Sequence, residues 1–213
     1  MDIHSIVARW EEYQTNPAKY IRYINADNDG YFNGKMIPFS EVIEKRVLGS
    51  GRFSMVVEYS DDMVLKLNTR EADAAYEFFI NFVSKRPASP HFPKLYEKHN
   101  LSGGYTAFVL EKLEMGLEEE RDTILEHLEN NWRSIKRKEF YRDSQESNNR
   151  FNLINPFFGE EFKRAVSILN DCYVEARNTK NLCEISTDFH ACNVMIRASD
   201  NMPVITDPFV CYK

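Results

Sequence analysis

The sequence predicts an α+β protein in which a small antiparallel sheet precedes a mainly helical second half. Apolar runs separated by a glycine turn and an acidic turn over residues 41–67 predict three strands. Apolar residues then recur at helical spacing over residues 71–83, 117–142 and 160–177, which predicts amphipathic helices. A chain of 213 residues is long enough to bury a core in one domain or two small lobes.

The N-terminal residues predict two helices and a turn. Residues 2–14 carry apolar side chains at helical spacing, and we expect this face to pack on the rest of the protein. Residues 18–24, after Pro17, predict a shorter helix. Residues 25–36 imitate a calcium-binding loop, with oxygen-bearing side chains at positions one, three and five. Met36 occupies position twelve, where calcium needs a bidentate carboxylate, so we interpret this stretch as a turn.

A glycine-containing hairpin and a strand lysine indicate a phosphate-binding element. Gly49 and Gly51 lie between the first two predicted strands, and Lys66 lies inside the third. Glycine has no Cβ, so its backbone amide can approach an anion closely. A lysine within an apolar strand is expected where its ammonium meets an anion.

The polar residues that suggest a reaction come near the end of the sequence. Asp188 is followed by His190, by Asn193 and, fourteen positions after that asparagine, by Asp207. One carboxylate can orient an attacking hydroxyl, while an amide oxygen and a second carboxylate hold magnesium against phosphate. Alone, this trio is also compatible with turn residues. The order of glycine hairpin, strand lysine, Asp-x4-Asn and Asp is more specific and indicates phosphotransfer.

These motifs resemble the protein-kinase-like superfamily, most closely the early serine/threonine kinases of short-tailed bacteriophages. The strongest match is the final stretch, 188–196 with 203–208, and the loop 49–57 and the segment 74–76 are also similar. The resemblance covers residues 40–213. It implies a bilobal fold with a small antiparallel-sheet N-lobe and a reduced, truncated, mainly helical C-lobe.

The resemblance leaves the N-terminal forty residues unclaimed and implies two lobes after them, so we expect three parts. Residues 1–40 form an N-terminal helical extension, and residues 41–113 form an N-lobe with glycine loop, strand lysine, helix and hinge. Residues 114–213 form the reduced C-lobe with the catalytic and metal-binding loops. The chain ends six residues after Asp207, so we expect neither an activation segment nor a helical substrate-binding subdomain.

Each polar site residue has an expected role in the resemblance. Asp188 orients the substrate hydroxyl, and Lys66 grips the α- and β-phosphates of ATP. His190 takes up charge from the transferred phosphate. Asn193 and Asp207 hold Mg²⁺.

The resemblance places a further set of residues around the nucleotide. The backbone of residues 111–113 is the hinge that pairs with the adenine edge. Glu77 is the acid expected to pair with the strand lysine, and Glu71 and Asp73 stay open as alternatives. The residues expected to contact ATP are Gly49, Ser50, Gly51, Arg52, Phe53, Ser54, Lys66, Glu77, Glu111 and Leu113.

The function implied is ATP-dependent phosphorylation of host proteins during infection, in the host cytoplasm. Two other functions stay open. His190 and the absence of a His-Arg pair before Asp188 favour a small-molecule kinase. The short C-terminus and the Asp207-Pro208-Phe209 motif favour a catalytically silent kinase-like protein that binds and inhibits a host factor.

Composition and charge exclude several other classes of protein. A net charge of −6 argues against a general nucleic-acid binder. No apolar run approaches the ~20 residues of a membrane span, and the N-terminus lacks the regions of a signal peptide, so we expect a cytosolic protein. The sequence leaves the oligomeric state open. The cysteines lack the tight paired spacing of a zinc site, so we expect reduced thiols that are buried or partly buried: Cys172, Cys183, Cys192 and Cys211.

Overall fold

The structure, a computed structural model, describes most of the chain. The described residues are 1–24, 33–51, 53–68, 73–86, 89–101, 104–140, 158–179, 182 and 184–211. Several sequence predictions lie outside them: residues 25–32 of the calcium-like turn, Arg52, Glu71 and Cys183. The last residues of that predicted turn, 33–36, form a strand instead.

The described chain is an α+β protein with antiparallel sheets, as predicted. In chain order its elements are α1 (Ile3–Thr15), β1 (Ile21–Ile24), β2 (Asn33–Met36), α2 (Phe39–Ile43), β3 (Val47–Ser50), β4 (Ser54–Glu58), β5 (Met63–Asn68), α3 (Ala74–Ser84), β6 (Leu95–Asn100), β7 (Thr106–Glu111), α4 (Glu118–Phe140), α5 (Glu160–Arg177), β8 (Ile185–Thr187), β9 (Val194–Arg197), β10 (Met202–Ile205) and β11 (Phe209–Cys211). It divides into two compact units. The first is Met1–Asp73 with Leu95–Lys112, and the second is Ala74–Lys94 with Leu113–Lys213.

The first unit is built on a five-stranded antiparallel sheet in the order β3-β4-β5-β7-β6. Helix α1 packs against this sheet, where Ile6 and Trp10 share a core with Leu65 and Val109. The indole N–H of Trp10 donates to the carbonyl oxygen of Asn68 at 2.9 Å, which fixes α1 to the end of β5. The prediction that the apolar face of α1 packs on the rest of the protein is confirmed.

Two local predictions in the first unit are wrong. The helix predicted over residues 18–24 is a 3-10 turn, Pro17–Tyr20, followed by strand β1. Pairing of β1 with β2 overrides the local helical spacing, because β-branched and aromatic residues suit a strand once a partner is present. The predicted strand region 41–67 begins instead with helix α2, which buries Phe39 and Ile43 and ends at Glu44 in the left-handed conformation.

The second unit combines α3, α4 and α5 with two small antiparallel sheets, β9–β10 and β8–β11. Helical spacing predicted all three helices, and α5 has the predicted bounds. Their apolar faces meet in an aromatic core that includes Phe79, Trp132 and Phe209. Among the described helices, none combines the length and the apolar character that crossing a membrane requires.

Candidate active site

Lys66 is a buried lysine on the central strand of the first unit. Side chains alternate along β5, so Lys66 points to the sheet face opposite the one that carries Leu65 into the α1 core. Its strand partners on that face are Val56 and Phe108. Only 6% of the residue is exposed. A lysine buried this far is expected to have a carboxylate nearby.

That carboxylate is supplied by Asp73. The Oδ2 atom of Asp73 lies 4.0 Å from the Nζ atom of Lys66, and both side chains are at least nine-tenths buried. Asp73 directly precedes α3, and it was one of the three acids that the sequence left open. Glu77, the acid first expected to pair, lies in the first turn of α3 in the second unit.

The glycine hairpin between β3 and β4 is tight and open to its surroundings. The N–H of Gly51 donates to the carbonyl oxygen of Ser54 at 2.8 Å. A Cβ added at Gly49 or Gly51 would meet no atom within 4 Å, and neither residue has a positive φ. Neither local packing nor backbone conformation therefore requires glycine here. Ser50 is exposed, while Phe53 and Ser54 are half-buried.

The expected hinge lies at the end of β7. Glu111 is buried and pairs in register with Met63 of β5. The next residue, Lys112, donates its backbone N–H to Asp62 at 2.8 Å, and its ammonium bonds to the carboxylate of Glu58. This bond lowers the pKa of the Glu58 carboxyl. Leu113 is half-buried and begins the second unit.

In the second unit, backbone hydrogen bonds gather the three residues of the predicted phosphotransfer motif. Asp188 follows β8, and its N–H donates to the carbonyl oxygen of Pro208 at 2.8 Å. The carbonyl oxygen of Asn193 accepts from both the N–H and the hydroxyl of Thr206, at 2.9 and 3.0 Å. Because Thr206 and Pro208 flank Asp207, these bonds hold all three residues in one place.

The side chain of Asn193 has a defined orientation. Its amide nitrogen lies 2.8 Å from the carbonyl oxygen of Asp188 and 3.1 Å from that residue's carboxylate Oδ2, so both amide hydrogens are used. Its amide oxygen accepts no hydrogen bond from any described residue. Amide and carboxylate oxygens are the ligands that Mg²⁺ and Ca²⁺ prefer. Asp207 supplies a carboxylate whose Oδ1 atom is buried.

His190 lies beside the Asp188 carboxylate. Its Nδ1 accepts the N–H of Cys192 at 3.2 Å, so a neutral imidazole carries its proton on Nε2. That nitrogen lies 3.5 Å from Oδ2 of Asp188. Nε2 is also 2.9 Å from the amide nitrogen of Asn193. About half of the His190 side chain is exposed.

In the second unit, the segment that follows β7 in sequence is hydrogen-bonded to β9. Glu114 and Ile196 exchange two backbone hydrogen bonds of 2.8 Å each. Gly116 has a φ of +64°, and a Cβ there would lie 2.8 Å from Cγ1 of Ile196. Glycine is therefore required at this position. This glycine was missed from sequence, although a glycine just before an acidic helix start is a recognisable turn signal.

The described cysteines are reduced, as predicted, but differ in exposure. Burial raises the pKa of the Cys172 thiol to about 12. Cys211 is half-buried, whereas Cys192 is exposed, so the prediction of burial is wrong for this residue. Cys192 belongs to the 3-10 turn Ala191–Asn193, against which α4 packs. Within the described part of the chain, no three His, Cys, Asp or Glu side chains are grouped to hold a metal ion.

No protein-family model matches the chain, and no curated protein matches its sequence.

Proposed function

We propose that this protein is an ATP- and magnesium-dependent serine/threonine protein kinase with a reduced kinase-like bilobal fold, of the kind that a bacteriophage directs at host proteins. The observation that carries the proposal is the arrangement of Asp188, Asn193 and Asp207. The amide nitrogen of Asn193 is committed to Asp188, which leaves its amide oxygen for a hard cation beside the carboxylate of Asp207.

The residues of the second unit fit the magnesium that such a reaction needs. Asn193 and Asp207 would hold the ion, which neutralises charge on the β- and γ-phosphates when bound. Asp188 accepts or orients the proton of a substrate hydroxyl through a carboxylate that is partly exposed. His190, on its exposed side, donates a hydrogen bond to the phosphate that is transferred.

The residues of the first unit fit the binding of a triphosphate. Lys66 bonds the α- and β-phosphates while Asp73 balances its charge in a buried environment. A Cβ added at Gly49 or Gly51 would meet no atom within 4 Å, which supports room for a phosphate beside this hairpin. Residues 47–111 form three strands, a helix and two further strands, which supports the order of glycine loop, strand lysine, helix and hinge that the resemblance implies.

One experiment tests this proposal against its two alternatives. The purified protein is incubated with γ-labelled ATP, Mg²⁺ and a bacterial lysate, in parallel with Asp188→Asn and Asp171→Asn. Asp171 is exposed on α5, so the second variant makes the same charge change away from the site. A protein kinase labels lysate proteins in the wild type and in Asp171→Asn, and loses the label in Asp188→Asn.

The other outcomes contradict the proposal. Label that appears only on small metabolites identifies a small-molecule kinase. No label, together with no shift of the melting temperature by Mg²⁺ and ATP, identifies a silent kinase-like protein that acts by binding.

A further inference from the structure

The residues proposed to hold magnesium lie at one end of a two-stranded ribbon. Asn193 directly precedes β9, and Asp207 follows β10 by two residues. The register pairs Val194 with Ile205, so the end of the ribbon sets the spacing between the two ligands. In the described chain, β9 and β10 form a sheet of only two strands. A ribbon of two strands twists readily and needs outside support to hold one geometry.

His91 supports the outer edge of β10. Its carbonyl oxygen accepts the N–H of Ile205 at 2.9 Å, and its imidazole Nδ1 lies 2.9 Å from the carbonyl oxygen of Pro203. A carbonyl only accepts, so Nδ1 carries the proton. If a neighbouring strand lay here, the N–H and C=O of one of its residues would bond to the carbonyl oxygen of Pro203 and to the N–H of Ile205. Here the imidazole replaces the backbone N–H, which is directed to the hydroxyl of Ser89 instead.

Arg197 fastens the other strand to the same segment. Its guanidinium donates to the carbonyl oxygens of Pro90 at 2.8 Å and Phe92 at 3.3 Å. Asp200 lies 3.7 Å away and balances its charge. Together with the bond from Ile205, three successive carbonyls of the 89–93 segment therefore hold both strands of the ribbon.

The side chains of His91 and Arg197 are both polar and buried. His91 is 1% exposed and Arg197 is 5% exposed. Burying a histidine or an arginine costs free energy unless its donors are satisfied. The donors of His91 and Arg197 are directed to carbonyls of the ribbon and of the segment beside it. Sequence does not single out either residue, because a side chain bonded to a distant carbonyl leaves no sequence signature.

We propose that His91 and Arg197 are positioning residues, which set the distance between Asn193 and Asp207 by fixing the β9–β10 ribbon to the 89–93 segment. This inference rests on the proposed function. The hydrogen bond from Nδ1 of His91 to Pro203 acts two residues from Ile205 and four from Asp207. Its loss lets β10 shift along β9 and spreads the two magnesium ligands.

The test compares His91→Asn with His91→Leu. These replacements have nearly the same shape, but only asparagine keeps a donor in the place of Nδ1. The first measurement is the Mg²⁺ concentration for half-maximal phosphorylation at saturating ATP. His91→Leu is expected to raise it about 10- to 100-fold, the usual effect of losing a group that orients metal ligands, with His91→Asn close to wild type. Equal values for all three proteins, or equal impairment of both variants, would overturn the inference.

A second measurement does not depend on catalysis. Hydrogen exchange of the Thr206 amide, which bonds to Asn193, should quicken in His91→Leu and not in His91→Asn, while amides in the middle of α5 exchange as in the wild type. If the wild type neither phosphorylates nor binds Mg²⁺ and ATP, the proposed function fails and this exchange difference alone decides whether the support exists. If His91→Leu does not fold, Arg197→Lys replaces it, since lysine can serve one carbonyl rather than two. An unchanged Mg²⁺ requirement and Thr206 exchange in that variant would count against the inference.

Discussion

Gly116→Ala is expected to destabilise the second unit by about 2–5 kcal/mol. A φ of +64° costs a residue with a Cβ about 1–2 kcal/mol. The new Cβ would also lie 2.8 Å from Cγ1 of Ile196 and 3.1 Å from Oε2 of Glu120. Overpacking of this kind costs a further ~1–3 kcal/mol. Ile196 cannot yield easily, because its backbone is bonded to Glu114 on both sides.

Gly104→Ala provides the matched control. Gly104 has a φ of +82°, but a Cβ there meets nothing within 4 Å, so only the backbone cost of about 1–2 kcal/mol applies. Urea unfolding measures both free energies. The chain has two tryptophans, with Trp132 in the second unit and Trp10 in the first, so each unit can be followed in a background where the other tryptophan is phenylalanine.

The difference between the two glycine variants decides the outcome. Adding Ile196→Ala to Gly116→Ala should recover the overpacking part, so the two substitutions together should cost less than the sum of their separate costs. If Gly116→Ala costs no more than Gly104→Ala, or if the double variant is simply additive, then Ile196 does not lie against residue 116. The pairing of Glu114 with Ile196 of β9 would then be wrong.

Three further predictions concern charge and exposure. Lys66→Met should lower the rate of phosphotransfer by about 10²–10³-fold, as loss of one preorganised charge does. Lys35→Met, at an exposed position, should leave this rate unchanged. Equal phosphotransfer rates in the two variants would refute the role of Lys66. Burial lowers the pKa of His91 from its usual 6.5, so just below pH 6.5 the unfolded chain binds more protons than the folded protein does. The contribution of neutral His91 to the free energy of unfolding is therefore complete above pH 6.5 and is lost as the pH falls toward the lowered pKa. Burial lowers the pKa of His127 in the same way, so His91→Asn should still lose part of this stability as the pH falls. Urea unfolding at several pH values measures the loss. If the free energy of unfolding depends on pH equally in His91→Asn and in the wild type, that result would contradict the burial of His91. In native protein at neutral pH, iodoacetamide should modify Cys192 and spare Cys172, whose pKa is about 12; mass spectrometry that finds both modified at one rate would contradict this.

The sequence predicted the parts of this protein that depend on local periodicity or on the order of motifs. Helix α5 has its predicted bounds because its apolar spacing alone defines it. Asp188, Asn193 and Asp207 are brought together as the spacing suggested. Strand β1 was predicted as a helix, because its structure depends on a partner strand that periodicity does not reveal.

The supporting contacts of the site were beyond sequence reasoning for a related reason. His91 bonds to the carbonyl of Pro203, 112 residues away, and every residue has such a carbonyl. Asp73, which lies beside Lys66, directly precedes α3, and the sequence left it open with two other acids because all three are close to the start of the helix. Side-chain types alone do not distinguish these positions.

The bond between Trp10 and the end of β5 has a practical consequence. Because α1 covers Leu65, Leu67 and Val109, a protein shortened to residue 41 onward would expose a continuous apolar surface on its sheet. It would also lose the anchor of the strand that carries Lys66. Removal of the first forty residues should therefore yield an insoluble chain rather than a smaller folded protein.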